Sequence, residues 1–435
     1  DAVHILTTYY YELRRGRSRD EALVESMRVN SAPVLLTSIT TALGVAMLNF
    51  SDSPPYQELG NMVALGVMAA WAVSMTFLPA LIALAPVRNT DRGANIERGM
   101  QGFAEWLLRN RHVVLICSGL VVITLTSFIP DNKLGEKWHE YFDDTFEVRL
   151  AMDASADHIG GLHILHFDVR GKGPESINDT RYLAELEKFA QWLETQPEVT
   201  HVSRLSQLIK RLNMNLHGDD PSWRRLPDSR ELTAQLLLLY ELSLPLGMGL
   251  ENTIDVERAG TRLQLVASKM DSEQILAFDR RVQAWQKENL AYITPGAATG
   301  LDIVFAHINN RNINSLLRGM VLALVLISVL LVVALRSVKL GALSLVTNLA
   351  PAGLAYGTWA LWDGTIDLSA SVVICMSIGI VVDDTVHFLS KYRRARHEQK
   401  AEPEDALRYA FNTVGVALSI TTVVLVAGFS LLGLS

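Results

Sequence analysis

Two neighbouring carboxylates, Asp383 and Asp384, sit inside Leu368 to Leu389, a run that apart from them and His387 is built of apolar and small residues. Lodging an ionised aspartate at the centre of a membrane helix costs about 2.5–3.5 kcal/mol on insertion scales. A helix that served only as an anchor would have nothing to offset that cost, so the pair reads as a site for ions or protons. Helical spacing puts Gly379, Asp383 and His387 on one face, at i, i+4 and i+8. A glycine there lets a neighbouring helix come close. The plainer alternative is a helix end whose acids meet lipid headgroups. Phe388 and Leu389, which intervene before Lys391, speak against it.

The chain opens on an echo of this stretch. Asp1-Ala2-Val3-His4-Ile5-Leu6 matches Asp384-Thr385-Val386-His387-Phe388-Leu389, and each copy is followed by tyrosine and a cluster of arginines. Further on, Ser38-Ile39-Thr40-Thr41 matches Ser419-Ile420-Thr421-Thr422. Order is kept and spacing agrees within a few residues, as expected for the two halves of a repeat-built transporter. Asp1 is then the first-half counterpart of Asp384, and His4 that of His387. Two readings of the histidines stand: they extend a proton path, or they are aromatic anchors at the interface. Because the first copy is entered partway through, the sequence is expected to be a piece of a longer protein.

The elements that must hold these residues follow from composition and hydropathy. Of 435 residues, 49% are hydrophobic and 20% charged, a balance that calls for membrane helices together with a sizeable extramembrane domain. Residues 1–8 read as the last turns of a spanning helix and 9–28 as a basic connector. Val29 to Ser51, Leu59 to Val87, Val113 to Ile129, Gly319 to Leu335, Leu340 to Trp362, Leu368 to Leu389 and Thr413 to Ser435 read as spans. The resulting division is 1–87 for the end of a first membrane half, 88–112 for a cytoplasmic connector, 113–129 for one span, 130–312 for an extramembrane domain and 313–435 for the second half. In that domain, Thr145 to Met152, His163 to Val169, Val199 to Val202 and Arg262 to Ala267 read as strands. Asn178 to Thr195 reads as a helix with Leu183, Leu186, Phe189, Ala190 and Leu193 on one stripe. Ser272 to Asn289 reads as another, with Ser272 as N-cap and Ile275, Phe278, Val282 and Trp285 inward. Strands alternating with helices suggest α+β layers made of split βαβ units. Lys and Arg fill the connectors 9–28, 88–112, 336–339 and 391–400 and are missing from 52–58 and 363–367. The positive-inside rule and helix parity then put residues 130–312 outside the cytoplasm.

With these residues assembled, the chain resembles the resistance–nodulation–division (RND) superfamily. The resemblance rests on a G-x-x-x-D-D motif in a membrane helix, here Gly379 to Asp384, with His387, a tyrosine and basic residues after it. The repeated Ser-x-Thr-Thr helix and the large insert between two spans add to it. The bacterial MMPL-like exporters of hydrophobic and amphiphilic molecules, which also resemble sterol-sensing-domain proteins, are the nearest branch. The resemblance implies a polytopic α-helical fold with a porter-like extracytoplasmic domain. It places the spans as the end of TM4, then TM5 to TM10 and most of TM11. It further implies proton-driven export, with Asp383, Asp384 and Asp1 as relay carboxylates. One threonine of each pair, Thr40 or Thr41 and Thr421 or Thr422, would then bond the acids or pass protons. The alternative for these threonines is a bond to a carbonyl of their own helix.

Other chemistries find little support. A net charge of −7 gives no footprint for nucleic acid. Cys117 and Cys375 fall in apolar runs, which excludes a disulfide framework. No phosphate-binding loop, nucleophile elbow or thiolate cluster appears, so no cofactor or metal is expected; the proton gradient as energy source is what the resemblance implies. His158, His163 and His166 cluster in sequence, but the last two face opposite sides of a strand. The apolar run Leu236 to Tyr240, with Leu242, Leu244, Leu246 and Met248, reads as domain core or as a lipid path. Asn348 and Pro351 mark a polar, kinked point in one span. The expected protein is an inner-membrane permease exporting lipids or drugs. Its partners are membrane lipids and the substrate, with homo-oligomers and periplasmic accessory proteins left open. Its rivals are a sterol-sensing, receptor-like lipid binder that does not pump, and a gradient-driven accessory of protein export.

Overall fold

The structure, a computed structural model, describes residues 1–84, 92–245 and 249–432. The chain divides into two compact units, one of Asp1–Lys133 with Asn312–Ser435 and one of Leu134–Arg311. Among the described residues, seven helices are long and apolar enough to cross a membrane, in the order the hydropathy pattern predicts.

In the first unit, α1 (Ala2–Arg14), α2 (Arg19–Ala46), α3 (Pro54–Leu84) and α4 (Arg92–Thr126) come first. The helices outrun the apolar runs at their polar ends. The stretch 9–28, expected as a connector, is mostly helix. Ser18 starts α2 with a capping box: Ser18 Oγ accepts from the Glu21 amide and Glu21 Oε2 accepts from the Ser18 amide. Charge does not oppose a helix; it only marks where the helix leaves hydrocarbon. Likewise α4 begins well before the predicted span and bends at Asn110 (φ −105°, ψ 15°), whose side-chain amide donates to the Trp106 carbonyl at 2.8 Å. Residues 85–88, the end of one predicted span and the start of its connector, lie outside the described residues. Met62, Leu65 and Phe77 on α3 and Leu115 and Ile123 on α4 point outward, an apolar surface suited to lipid.

The second unit begins with α5 (Glu147–Ala154), then β1 (His163–Arg170), α6 (Thr180–Glu194), β2 (Val199–Ser203), α7 (Leu205–Leu216), α8 (Arg230–Ser243), β3 (Gly260–Ala267), α9 (Ser272–Asn289) and β4 (Thr294–Thr299). The sheet order is β2-β3-β1-β4, all antiparallel. The strand β3 lies between β1 and β2, and β1 between β3 and β4, so two split βαβ units interlock. Alternation sends His163, Leu165, Phe167 and Val169 inward. They meet the stripe Leu183, Leu186, Phe189, Ala190 and Leu193 of α6, all fully buried, and Ile275, Phe278 and Val282 of α9. Trp285 is half-buried and stacks on Trp192 at 4.6 Å.

Three expectations change here. Thr145 to Met152 is not a strand: Thr145 and Phe146 lead into α5, none of α5 is buried, so the apolar alternation has no inner face, and Arg149 pairs with Asp153 one turn on at 2.9 Å. The N-cap of α9 is Asp271, not Ser272; Asp271 Oδ1 accepts from the Gln274 amide at 2.8 Å while Gln274 Oε1 accepts from the Asp271 amide. The apolar run 236–244 splits. Leu236 and Leu237 join the core while Leu238, Leu239 and Leu242 are exposed; Leu246 and Met248 lie outside the described residues.

After β4 the chain returns to the membrane with α10 (Leu301–Leu335), α11 (Val338–Trp362), α12 (Leu368–Glu398) and α13 (Pro403–Leu432). The unit boundary falls within α10. A core of Met47, Ala323, Leu324, Ile327, Leu331, Ile378, Val382 and Val386 joins the end of α2 to α10 and α12. The repeat is visible in the packing: α1 lies on α2 and α13, and α12 lies on α13 and α2.

The extramembrane unit holds one buried charge cluster that a measurement can address. Burial alone would raise the Glu187 carboxyl, but Arg204 at 3.1 Å, Lys210 at 2.8 Å and the Ser206 hydroxyl at 2.7 Å hold it down to about 2. A depressed folded-state pKa stabilises the fold above the unfolded value near 4.3 and loses that stabilisation as pH falls toward about 2. Glu187→Gln should therefore cost about 2 kcal/mol at neutral pH. It should also flatten the loss of α6 hydrogen-exchange protection between about pH 5 and pH 3.

Candidate functional site

The site is built where α2 and α12 touch backbone to backbone. A Cβ on Gly379 would stand 2.8 Å from Thr41 Cα, and one on Gly44 would stand 3.1 Å from the Gly379 nitrogen. Only paired glycines allow that approach. The Thr41 hydroxyl donates to the Gly379 carbonyl at 3.1 Å, so the crossing is also tied by a hydrogen bond.

One turn along α12 comes Asp383, and one more brings His387. Asp383 Oδ1 lies 3.2 Å from His387 Nε2 with the histidine fully buried. This is ion-pair distance but outside hydrogen-bond geometry. The His387 ring stacks on that of His4 from α1, centroids 3.6 Å apart and planes 4° from parallel. The two histidines that match in the repeat thus meet face to face. Asp383 Oδ1, both ring nitrogens of His387 and His4 Nε2 are buried without a hydrogen-bond partner among the described residues. Each such atom costs about 1–3 kcal/mol. Four such atoms in one place, among the described residues, leave hydrogen-bonding capacity that a proton, water or ligand could satisfy. The ligand atoms of His4, Asp383 and His387 lie within 4.8 Å of one another, a set that could hold a metal ion. Parallel rings aim their lone pairs along parallel lines, however, so a shared ion would require the rings to tilt.

The stripe continues to Lys391, again four residues on. Its buried Nζ donates to Asn30 Oδ1 at 3.0 Å. Asn30 Nδ2 in turn donates to the carbonyls of Ser26 at 2.9 Å and His4 at 3.3 Å. Sequence reading passed over Lys391 and Asn30. The signal was the unbroken i+4 series 379, 383, 387, 391; the cue was lost because the lysine was assigned to the connector.

The two acids have different surroundings. Asp384, exposed, turns to a cavity of about 350 Å³ lined with Leu343, Thr347, Phe388 and Leu418. Its neighbour Thr385 donates to Asn348 Oδ1 at 2.8 Å, and Asn348 Nδ2 donates to Ser344, so the polar point in α11 serves to join α11 to α12. In the first half, Asp1 Oδ2 accepts from the Ser38 hydroxyl at 3.3 Å. The other threonines stay within their own helices: Thr40 donates to the Thr37 carbonyl, Thr421 to those of Ala417 and Leu418, and Thr422 to that of Leu418. None of these hydroxyls reaches an acid. In the extramembrane unit, His163 Nε2 accepts from the Met270 amide at 3.1 Å and Nδ1 lies 3.1 Å from Asp302 Oδ1. Both ring nitrogens are engaged in holding the fold.

Residues 2–115 and 265–435 match the MMPL family. The mycolic acid-containing lipids exporter MmpL11 of Mycolicibacterium smegmatis is 21% identical over 464 residues, which cover 98% of this chain and 43% of the relative. The heme uptake protein MmpL11 of Mycobacterium tuberculosis is 20% identical over 457 residues, 98% of this chain and 42% of the relative. The chain spans less than half the length of these relatives. Among solved structures, the hedgehog release protein Disp from the water bear Hypsibius dujardini gives a TM-score of 0.54 at 13% identity, over 95% of this chain and 56% of that one. Likeness at that identity concerns the fold.

Gly379→Ala tests the crossing. The added methyl meets the Thr41 backbone, which cannot yield as a side chain would. The substitution should destabilise the membrane unit by about 1–3 kcal/mol, read as a lowered melting temperature of the purified protein. The same change at Gly66, where a Cβ meets nothing within 4 Å, should leave that temperature unchanged.

Proposed function

The chain belongs to the MMPL family, and from that premise we propose that it moves hydrophobic or amphiphilic molecules, lipids foremost, out of the bacterial inner membrane in exchange for protons. One relative is named a probable transport protein, one a heme uptake protein and one a lipid exporter. The observation that carries the proton reading is the group of buried Asp383, His387 and His4 atoms that, among the described residues, have no hydrogen-bond partner, where the two repeat halves meet. A proton arriving at Asp383 removes the negative charge facing His387. The loss changes the balance of forces at the seam where α1, α2 and α12 meet. One half then shifts against the other, and release of the proton on the far side resets it. The membrane potential adds about 2.3 kcal/mol per charge per 100 mV. In this reading the extramembrane unit lies on the periplasmic side and receives the substrate. Asp384 and Asp1 play a secondary part, the first facing an apolar cavity and the second bonded to Ser38.

The test uses the full-length protein in proteoliposomes with an imposed pH gradient and a fluorescent lipid. Asp383→Asn should bring gradient-dependent flux down to that of protein-free vesicles. Asp384→Asn should leave most of it. Undiminished flux in Asp383→Asn would rule out the relay.

A further inference from the structure

A cavity of about 530 Å³ opens among α2, α10 and α12 at the end of the bundle where their basic residues gather. Its size falls in the range of ligand sites, about 300–1,000 Å³. The walls are of two kinds. Leu36, Ile39 and Leu335 make the apolar part; Arg28, Arg393, Arg394 and the Glu398 carboxylate, with the buried Lys391, make the polar part. Two of these cations are already neutralised. Arg28 bonds Glu25 at 2.9 Å, and Arg394 bonds Glu398 at 2.8 Å and Glu25 at 3.3 Å. The other two are not. Arg393 donates to the Ala334 carbonyl at 3.1 Å, and Lys391 donates to Asn30. Among the described residues neither meets a carboxylate at ion-pair distance.

We propose that this cavity is a binding site for an anionic glycerophospholipid of the membrane leaflet on that side, its phosphate held by Arg393 and Lys391 and one acyl chain laid over Leu36, Ile39 and Leu335. A guanidinium and an amino group that bond only neutral acceptors, beside an apolar wall, match the two ends of such a molecule. A free phosphate would leave the apolar wall uncovered, and a zwitterionic lipid would bring its own cation to the polar part. The basic side of a membrane protein faces the cytoplasm, whose leaflet is the anionic one. A lipid seated there would bridge α2 of the first repeat half and α12 of the second. The proposal does not depend on proton exchange or on the exported substrate.

Native mass spectrometry of the full-length protein, released from nanodiscs of phosphatidylcholine doped with phosphatidylglycerol, decides it. Wild type should retain phosphatidylglycerol well above its share of the bilayer. Arg393→Gln should lower that retention about fivefold, the contribution of one cation near a lipid surface. Ala32→Trp fills the cavity from its exposed wall without changing charge, and should lower it as well. Arg280→Gln, in the extramembrane unit, should not. Equal retention of both lipids, or unchanged retention in Ala32→Trp, would overturn the site. Loss of the bound lipid to millimolar inorganic phosphate would reassign it as a simple anion site. If Arg393→Gln fails to fold, retention in Ala32→Trp alone separates a filled site from an empty one.

Discussion

The membrane unit turns on one contact, the backbone approach of α2 and α12 at Gly44 and Gly379. In lipid there is no hydrophobic force to press helices together, so close packing and interhelical hydrogen bonds must do it. Paired glycines supply the first and Thr41 the second. The consequence runs down the helix. Because α2 is so near, Asn30 reaches both Lys391 and the His4 carbonyl. Because α1 is held by α2 through Ser26 and Asn30, His4 stacks on His387. A larger residue at either glycine would move the whole polar stripe out of register.

Much of this was legible in the sequence, and what was not had physical reasons. Uncharged runs gave the order of the spans, since hydrocarbon tolerates few exceptions. They did not give helix ends, because capping boxes such as Ser18 with Glu21 continue a helix past the membrane. In the extramembrane unit, long amphipathic stripes such as Leu183 to Leu193 declared themselves. The helices α7 and α8 and the strand β4 went unread, and α5 was misread as strand, because a short alternation is ambiguous until something covers one face. At the candidate site the motif pointed to Asp383 and His387. Helical spacing turns adjacent residues about 100° apart, but the motif could not show that Asp384 would meet Leu343 and Thr347 of α11 and Leu418 of α13, because packing sets that wall. Nor could it show that Thr421 and Thr422 spend their hydroxyls on their own helix, a choice set by rotamers rather than by residue type.

The repeat makes these differences between halves informative. His4 and His387 correspond, and their rings stack on each other. Asp1 and Asp384 also correspond, but their surroundings do not. Asp1 is met by the hydroxyl of Ser38, whereas Ser419, the counterpart of Ser38, donates to the Gly415 carbonyl of its own helix. A symmetric pair of halves would give both acids the same partner. Under the proposed reading, an exchanger must occupy more than one state, and unlike surroundings at matching acids are what one such state would show. In that reading the stacked histidines are the contact that the matching motifs share, and the hydroxyls of Ser38 and Ser419 mark where the halves differ.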